Sequence, residues 1–131
     1  MSPRLRAAGR RRYVSLTTFR RTGVGVATPV WVAVSGDAVV VVTGRSTGKV
    51  KRLRRDARVE LRECSASGRV REGAPVVRGS VELLEDPRQQ QGPLAALAAK
   101  YGIQYRLVTL VERVLERGDH PDRIVLRITD A

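Results

Sequence analysis

Residues 38–64 read AVVVVTGRSTGKVKRLRRDARVELREC, and this stretch predicts a strand, a helix and a second strand in succession. The apolar run over 38–43 is rich in β-branched residues and has the length of a buried strand. It breaks at Gly44, and the helix that follows carries apolar residues at spacings i, i+3 and i+7, namely Val50, Leu53 and Ala57. Apolar and charged residues then alternate over 58–64, which is typical of a strand with one buried face.

The junction between the first strand and the helix has the chemistry of a phosphate site. Ser46, Thr47, Gly48 and Lys49 place small hydroxyl residues, backbone N–H groups and an ammonium where a helix begins. The helix dipole favours an anion at this position. The order of residues matches neither a Walker A loop nor a GxGxxG dinucleotide motif. A basic surface helix with an ordinary threonine cap is the alternative interpretation.

The rest of the chain contains four further β-forming segments and two helical segments. Strands are predicted over 13–19, 24–34, 75–86 and 123–129, and helices over 88–100 and 103–117. Pro29 interrupts the second of these strands, which indicates an edge, a bulge or a place where another group meets the backbone. Six strands with few helices predict one small antiparallel barrel over residues 1–131, with 1–11 as a basic arm or short helix.

Composition excludes several classes of function. The chain carries 25 Lys and Arg against 13 Asp and Glu, a net charge of +12, which raises the question of nucleic acid. Aromatic residues make up only 4%, too few for a base-stacking surface. One cysteine, Cys64, and one histidine, His120, supply neither a metal site nor a His-dependent triad. Because no apolar run approaches the length of a membrane span and the N-terminus lacks the hydrophobic region of a secretion signal, we expect a cytoplasmic protein.

The order of these motifs resembles that of one known superfamily. The segments ATPVW, the TG-x-x-x-GK-x-x-x-LRRD-x-R block and the RG-x-x-x-LL strand occur in sequence over nearly the whole chain. They are similar to the pyridoxamine-phosphate-oxidase-like split-barrel flavoproteins, and more narrowly to the actinobacterial branch of oxidoreductases that depend on the deazaflavin coenzyme F-420. The resemblance implies a mainly β (α+β) fold: a six-stranded antiparallel split β-barrel with peripheral helices, homodimeric, with cofactor sites at the subunit interface.

The resemblance also implies which residues bind the cofactor. The ring would lie along the strand formed by Ala27, Thr28, Pro29, Val30 and Trp31, with Thr43 near both the ring and the phosphate. The phosphate would be held by Ser46, Thr47, Gly48 and Lys49, with Lys51 and Arg45 as further cations. Several relatives carry an arginine in place of Thr47, so here phosphate binding would rely more on Lys49 and Lys51, with Arg45 as a further candidate. No catalytic side chain and no metal is implied.

The predicted function is that of an oxidoreductase that binds a reduced deazaflavin at a dimer interface and transfers hydride to an unidentified organic acceptor. The cofactor would carry the redox chemistry, so the absence of a catalytic triad does not exclude an enzyme. A phosphate with an oligoglutamate tail is a polyanion, which would account for a basic rim without nucleic acid. Two alternatives remain: an FMN-binding split-barrel flavoprotein and a non-catalytic cofactor-binding protein. Tyr101 and Tyr105 are candidate proton donors, although packing is the commoner role at helical spacing.

Overall fold

The computed structural model describes residues 1–102 and 123–131. In these residues it has three helices and seven strands: α1 (Pro3–Gly9), β1 (Val14–Phe19), β2 (Gly25–Val30), β3 (Ala33–Ser35), β4 (Ala38–Gly44), α2 (Gly48–Arg55), β5 (Arg58–Glu63), β6 (Val77–Leu84), α3 (Pro87–Tyr101) and β7 (Arg123–Asp130). The helix predicted over 103–117 lies outside the described residues, as do Tyr105 and His120.

The strands form one antiparallel sheet in the order β2-β1-β5-β6-β7-β4-β3. β2 and β3 are the two edges of this sheet, yet they follow each other in the chain with only Trp31 and Val32 between them. The three peptide units from Val30 to Ala33 reach at most about 11 Å. The two edges therefore approach each other at this corner, and the sheet curls into a half-barrel. This confirms the predicted antiparallel split-barrel fold class.

The structure has two strands where the sequence predicted one over 24–34, so the described strands number seven and not six. The break falls at Trp31 and Val32, where the chain leaves one edge of the sheet and joins the other. Val30 and Val32 are both buried in the interior of the barrel. Because their spacing continues the alternation of a strand through the corner, periodicity alone does not reveal the break.

Apolar side chains from four strands fill the interior: Val14, Leu16, Val39, Val41, Val59, Leu61, Ile124, Leu126 and Ile128. β4 is buried on both faces, which explains its uninterrupted run of valines. Its outward residue Val40 packs with Val125 against Leu97 and Tyr101 of α3. The sheet is thus covered by α3 on one side and filled by its own side chains on the other.

A helix covers each end of the barrel. At the end where β1 begins and β5 finishes, α1 contributes Leu5 and Ala8 to the interior core. At the opposite end, α2 contributes Val50 and Leu53. We refer to these as the α1 end and the α2 end. Ala57, predicted on the apolar face of α2, is exposed, because α2 ends at Arg55 and the chain has already turned toward β5.

None of the helices in residues 1–102 and 123–131 is both long enough and apolar enough to span a bilayer.

Candidate functional site

Thr47 organises the junction between β4 and α2. Its Oγ1 accepts a hydrogen bond from the N–H of Val50 at 3.4 Å and donates one to the carbonyl oxygen of Gly44 at 3.0 Å. The hydroxyl oxygen of Thr43 lies 3.4 Å from that of Thr47. Thr47 is therefore the N-cap of α2, and its hydroxyl is engaged within the protein. Cap formation leaves the N–H groups of Gly48 and Lys49 outside the helical ladder.

A cavity of about 410 Å³ lies beside the first turn of α2 and has cationic walls. The described residues that line it are Gly48 and four basic residues, Arg21, Lys51, Arg52 and Arg55, without a carboxylate. Positive charges that share a cavity repel one another, and a bound anion removes that repulsion. The lining therefore favours an anionic ligand, and we call these residues the α2 cation cluster.

Arg52 lies closer to the start of α2 than its sequence position suggests. A Cβ built on Gly48 would be only 2.9 Å from Nη1 of Arg52, so the guanidinium folds back over the first turn. Side chains in a helix point toward its N-terminus, which brings residue i+4 over residue i. Nε of Arg52 also donates to Oγ1 of Thr18 at 2.6 Å, and Nη2 of Arg55 donates to the carbonyl oxygen of Phe19 at 2.8 Å. These bonds fix the cluster against β1.

Lys49 is half-buried beside this cluster. Burial, followed by the charge of Arg52, lowers the pKa of the Lys49 ammonium. A cation that has lost part of its hydration and faces a second cation gains more from an anion than a fully hydrated one does. The structure thus places the Lys49 ammonium next to Arg52, and its role in binding a phosphate stays a prediction.

Arg45 occupies a different electrostatic setting. Its guanidinium lies 3.5 Å from the carboxylate of Glu85, which also binds Arg54 at 2.5 Å. The hydrogen bond from Arg54 is the main cause that lowers the pKa of Glu85. Two arginines share this carboxylate, so Arg45 is partly neutralised within the protein. In the α2 cation cluster, Arg55 interacts with the charge of Asp56, but the described lining of the cavity itself contains no carboxylate.

β2, the predicted platform for the ring, is an edge strand that pairs only with β1. An edge position is by itself sufficient to accommodate Pro29. The more informative residue is Thr28, whose buried Oγ1 has no hydrogen-bond partner among the described residues. Thr28 lies two residues beyond Val26, which pairs with Thr18, so Thr28 shares a strand face with the hydroxyl that binds Arg52. A buried hydroxyl without a partner among the described residues is uncommon, and a polar group of a ligand on this strand face would satisfy it.

The far end of β2 is held by a ring stack. The indole of Trp31 lies parallel to the ring of Tyr101, with centroids 4.6 Å apart and an interplanar angle of 8°. The hydroxyl of Tyr101 accepts from the N–H of Val32 at 2.9 Å and is 2.7 Å from the carbonyl oxygen of Arg12, to which it donates. Burial raises the pKa of Tyr101. Tyr101 is therefore a structural group at the corner between the sheet edges, and its engaged hydroxyl is poorly suited to donate a proton to a substrate.

The loop after β5 reaches the same platform. A Cβ on Gly68 would lie 3.4 Å from the ring of Pro29, and Gly68 has a φ of +89°, a conformation that favours glycine. Cys64 at the start of this loop has its pKa raised, mainly by burial, so its thiol is not activated as a nucleophile. The described residues contain no group of His, Cys, Asp and Glu side chains that could hold a metal ion.

The structure brings together one half of the predicted site. Thr43, Thr47, Gly48, Lys49 and Lys51 meet at the start of α2, with exposed Ser46 in the preceding turn. Ala27, Thr28, Pro29, Val30 and Trp31 follow one another from β2 into the corner. Sequence reasoning missed Arg21, Arg52 and Arg55 as cavity residues. The helical spacing of Arg52 and Arg55 with Gly48 could have indicated two of them, whereas Arg21 enters only through the folding of the β1–β2 turn.

Comparison with known proteins places the chain among related folds. A family model described as pyridoxamine 5'-phosphate oxidase matches residues 1–130. Among curated proteins, none matches the chain in sequence. A solved structure of a conserved hypothetical protein from Mycobacterium tuberculosis is 22% identical with a TM-score of 0.68, and the match covers 99% of this chain and 81% of that chain.

Two further solved structures carry functional descriptions. The heme storage protein of Vibrio cholerae is 9% identical with a TM-score of 0.69, over 95% of this chain and 84% of that chain. A protein described as an F-420 reductase is 18% identical with a TM-score of 0.61, over 100% of this chain and 96% of that chain. At these identities the structures establish the fold alone.

Proposed function

The chain belongs to the pyridoxamine 5'-phosphate oxidase family, and from this premise we propose that it is a cytoplasmic oxidoreductase that uses the deazaflavin coenzyme F-420. The proposed reaction transfers hydride from the reduced coenzyme to an organic acceptor. A flavin-type cofactor fits the residues present, since an unpaired Thr28 hydroxyl and a cation cluster share one side of β1 and β2. The choice of the deazaflavin rests on the sequence resemblance described above.

The α2 cation cluster is the observation that carries this proposal. Its lining has four cations and no carboxylate among the described residues, and the first turn of α2 adds unpaired N–H groups. One phosphate would leave most of this charge uncompensated. A cofactor with a phosphate and a carboxylate tail matches it better, because arginine forks bind such oxygens in pairs.

The residues of the chain would bind and orient the cofactor. Lys49, Lys51 and the first turn of α2 would hold the phosphate, and the hydroxyl of Thr28 would donate to a polar edge of the ring. When bound, the deazaflavin supplies the hydride, and solvent can supply the proton that the acceptor also needs. The loop at Gly68 would limit access of water and acceptor to the platform. No described side chain is assigned the role of acid or base.

We also propose a homodimer in which a second copy supplies the other wall of the site. The support is the exposed edge of β2, which no described strand covers. The apolar helix that motivated the dimer in the sequence lies outside the described residues. Light scattering at micromolar concentration should give twice the mass of the 14.4 kDa chain. A stable monomer would contradict the dimer and leave the cofactor site with one wall.

The proposed cofactor is tested by titrating the purified protein with F-420 and, separately, with FMN while following the visible spectrum. We expect saturable binding of F-420 that is tighter than binding of FMN. Tighter FMN binding would instead support the FMN-binding flavoprotein. Absence of binding by both would contradict a flavin-type cofactor, and α2 would then be interpreted as a basic surface helix.

The proposed chemistry is tested with the reduced coenzyme and a panel of activated alkenes and quinones. Oxidation of the deazaflavin that depends on the protein is the expected result. Binding without turnover on any acceptor would favour the non-catalytic cofactor-binding protein. If the protein instead bound nucleic acid, its affinity for nucleic acid would fall steeply as the salt concentration rises.

A further inference from the structure

A second cavity lies at the α1 end of the barrel, away from the proposed cofactor site. Its volume is about 320 Å³, at the small end of the range for ligand pockets. We propose that it is a binding site for a small carboxylate with an apolar body. The described residues that line it come from α1, β5, β6 and the intervening loop: Arg4, Ala7, Ala8, Arg11, Leu61, Glu63, Arg71, Pro75 and Val77.

One face of α1 forms a wall of this cavity. Arg4, Ala7, Ala8 and Arg11 recur at i, i+3, i+4 and i+7, and the N–H of Arg11 still bonds to the carbonyl oxygen of Ala8, so the four residues share a face. The two alanines leave room between two long cationic side chains. Leu61 and Val77 belong to the interior core or pack against it, and they supply an apolar floor. The cavity thus presents apolar surface with guanidinium groups at its rim.

The charges of this rim are only partly compensated. Arg11 lies 3.3 Å from the carboxylate of Glu63, so this pair is internally neutral. The side chains of Arg4 and Arg71 have no ion-pair or hydrogen-bond partner among the described residues. A fork-shaped guanidinium binds a carboxylate with two parallel hydrogen bonds. The charge of one carboxylate bound between Arg4 and Arg71 would therefore be compensated. The apolar body of the same ligand would cover the two alanines.

This site is separate from the cofactor site. Glu63 pairs with Val14 at the start of β1, whereas the α2 cation cluster contacts Thr18 and Phe19 at its other end. The five residue steps of β1 correspond to about 17 Å. The proposal consequently does not depend on the function proposed for the α2 end.

The experiment is a calorimetric titration of the full chain with 2-naphthoate as the probe. We expect saturable binding, and about a ten-fold loss of affinity in each of the variants Arg4→Gln and Arg71→Gln. Arg69→Gln is the matched control, because Arg69 is an exposed arginine of the same loop that does not line the cavity. All three positions are exposed, so the substitutions leave the core intact.

Two further measurements distinguish carboxylate recognition in this cavity from apolar adsorption and from binding at the α2 end. Neutral 2-naphthalenemethanol should bind at least ten-fold more weakly than 2-naphthoate, since it lacks the carboxylate. Glu63→Gln should tighten binding a few-fold by releasing Arg11. Failure of 2-naphthoate to bind, or equal affinity in Arg4→Gln, Arg71→Gln and Arg69→Gln, would overturn the proposal. A loss of naphthoate binding in Lys49→Ala would assign the probe to the α2 end and would also overturn it.

Discussion

The corner between the sheet edges at Trp31 and Val32, which we call the α1 corner, and the α2 end use positive charge in opposite ways. At the α1 corner, the ammonium of Lys100 donates to the carbonyl oxygens of Gly9, Arg11 and Val32, with the Gly9 bond at 3.0 Å and the Val32 bond at 2.6 Å. These bonds join the end of α1, the end of α3 and the corner between the sheet edges. At the α2 end, the cations of the cluster line a cavity without a carboxylate among the described residues.

The difference separates cations that hold the fold from cations available to a ligand. Lys100 lies where three backbone carbonyls converge, so its N–H groups supply hydrogen bonds that those carbonyl oxygens would otherwise lack. Burial, followed by the charge of Arg52, lowers the pKa of Lys49, and the described lining of the cavity that Arg52 borders contains no carboxylate. Substitutions at the α1 corner should therefore change stability, and substitutions at the α2 end should change ligand affinity.

The largest expected effect is the loss of cofactor affinity in Lys49→Ala. A charge-assisted hydrogen bond contributes about 1.5–3 kcal/mol, which corresponds to a ten-fold or greater rise in Kd for F-420. The free energy of unfolding should stay the same or rise, because burial and Arg52 already disfavour the ammonium. Arg54→Gln is the matched control, since Arg54 is on the same helix but binds Glu85. Equal loss of affinity in both variants would remove the distinction between the two sides of α2.

A smaller effect is expected for Tyr101→Phe at the α1 corner. The substitution leaves the buried N–H of Val32 without its acceptor and should lower the free energy of unfolding by about 1–3 kcal/mol. Tyr13→Phe serves as the control, because the Tyr13 hydroxyl has no hydrogen-bond partner among the described residues. Denaturant unfolding of both variants measures the difference. If Tyr101→Phe matches the control in stability, the corner is not held by this hydroxyl.

The smallest expected effect is a pH dependence that arises from Lys100. Burial, followed by the charge of Arg12, lowers the pKa of Lys100 from 10.5 to about 8 in the folded protein. Between these values the unfolded chain binds more protons, so the stability contributed by this group rises with pH. The difference in unfolding free energy between the wild type and Lys100→Met should accordingly increase between pH 8 and pH 10.5. A difference that stays constant or falls over this range would mean that the three carbonyl acceptors keep Lys100 fully charged.

Local patterns were sufficient to predict most of the fold. Alternation located β5 and β7, β-forming residues bounded by turn signals located β1 and β6, and the run of valines in β4 correctly indicated a buried strand. The threonine and glycine before the basic segment located the start of α2 within one residue. These features depend on neighbours in the chain, and so they are visible in the sequence. The corner at Trp31 was missed because the chain passes there from one edge of the sheet to the other while the alternation of buried residues continues unchanged.

The residues of the candidate site also divide into those that local sequence patterns predict and those that only the folded structure brings together. Lys49 and the cap at Thr47 follow from the order of residues at one helix start, whereas Arg21 joins the cluster from a separate turn. The unpaired hydroxyl of Thr28 is a property of what surrounds it, and no spacing in the sequence encodes it. Residues from three segments therefore had to be brought together before the absence of a compensating carboxylate in the described lining could be seen.

By itself, the sequence determined a small antiparallel barrel and the position of a basic helix after β4, because strand alternation and helix capping act over a few residues. The split form of the barrel was implied by the family resemblance. Only the tertiary structure decided which cations are compensated. Arg45 and Arg54 share Glu85 across 31 residues or more of sequence, and Lys100 reaches Gly9 across 91. Coulomb and hydrogen-bond energies depend on distances of a few ångströms in space, and the chain sets those distances only when it folds.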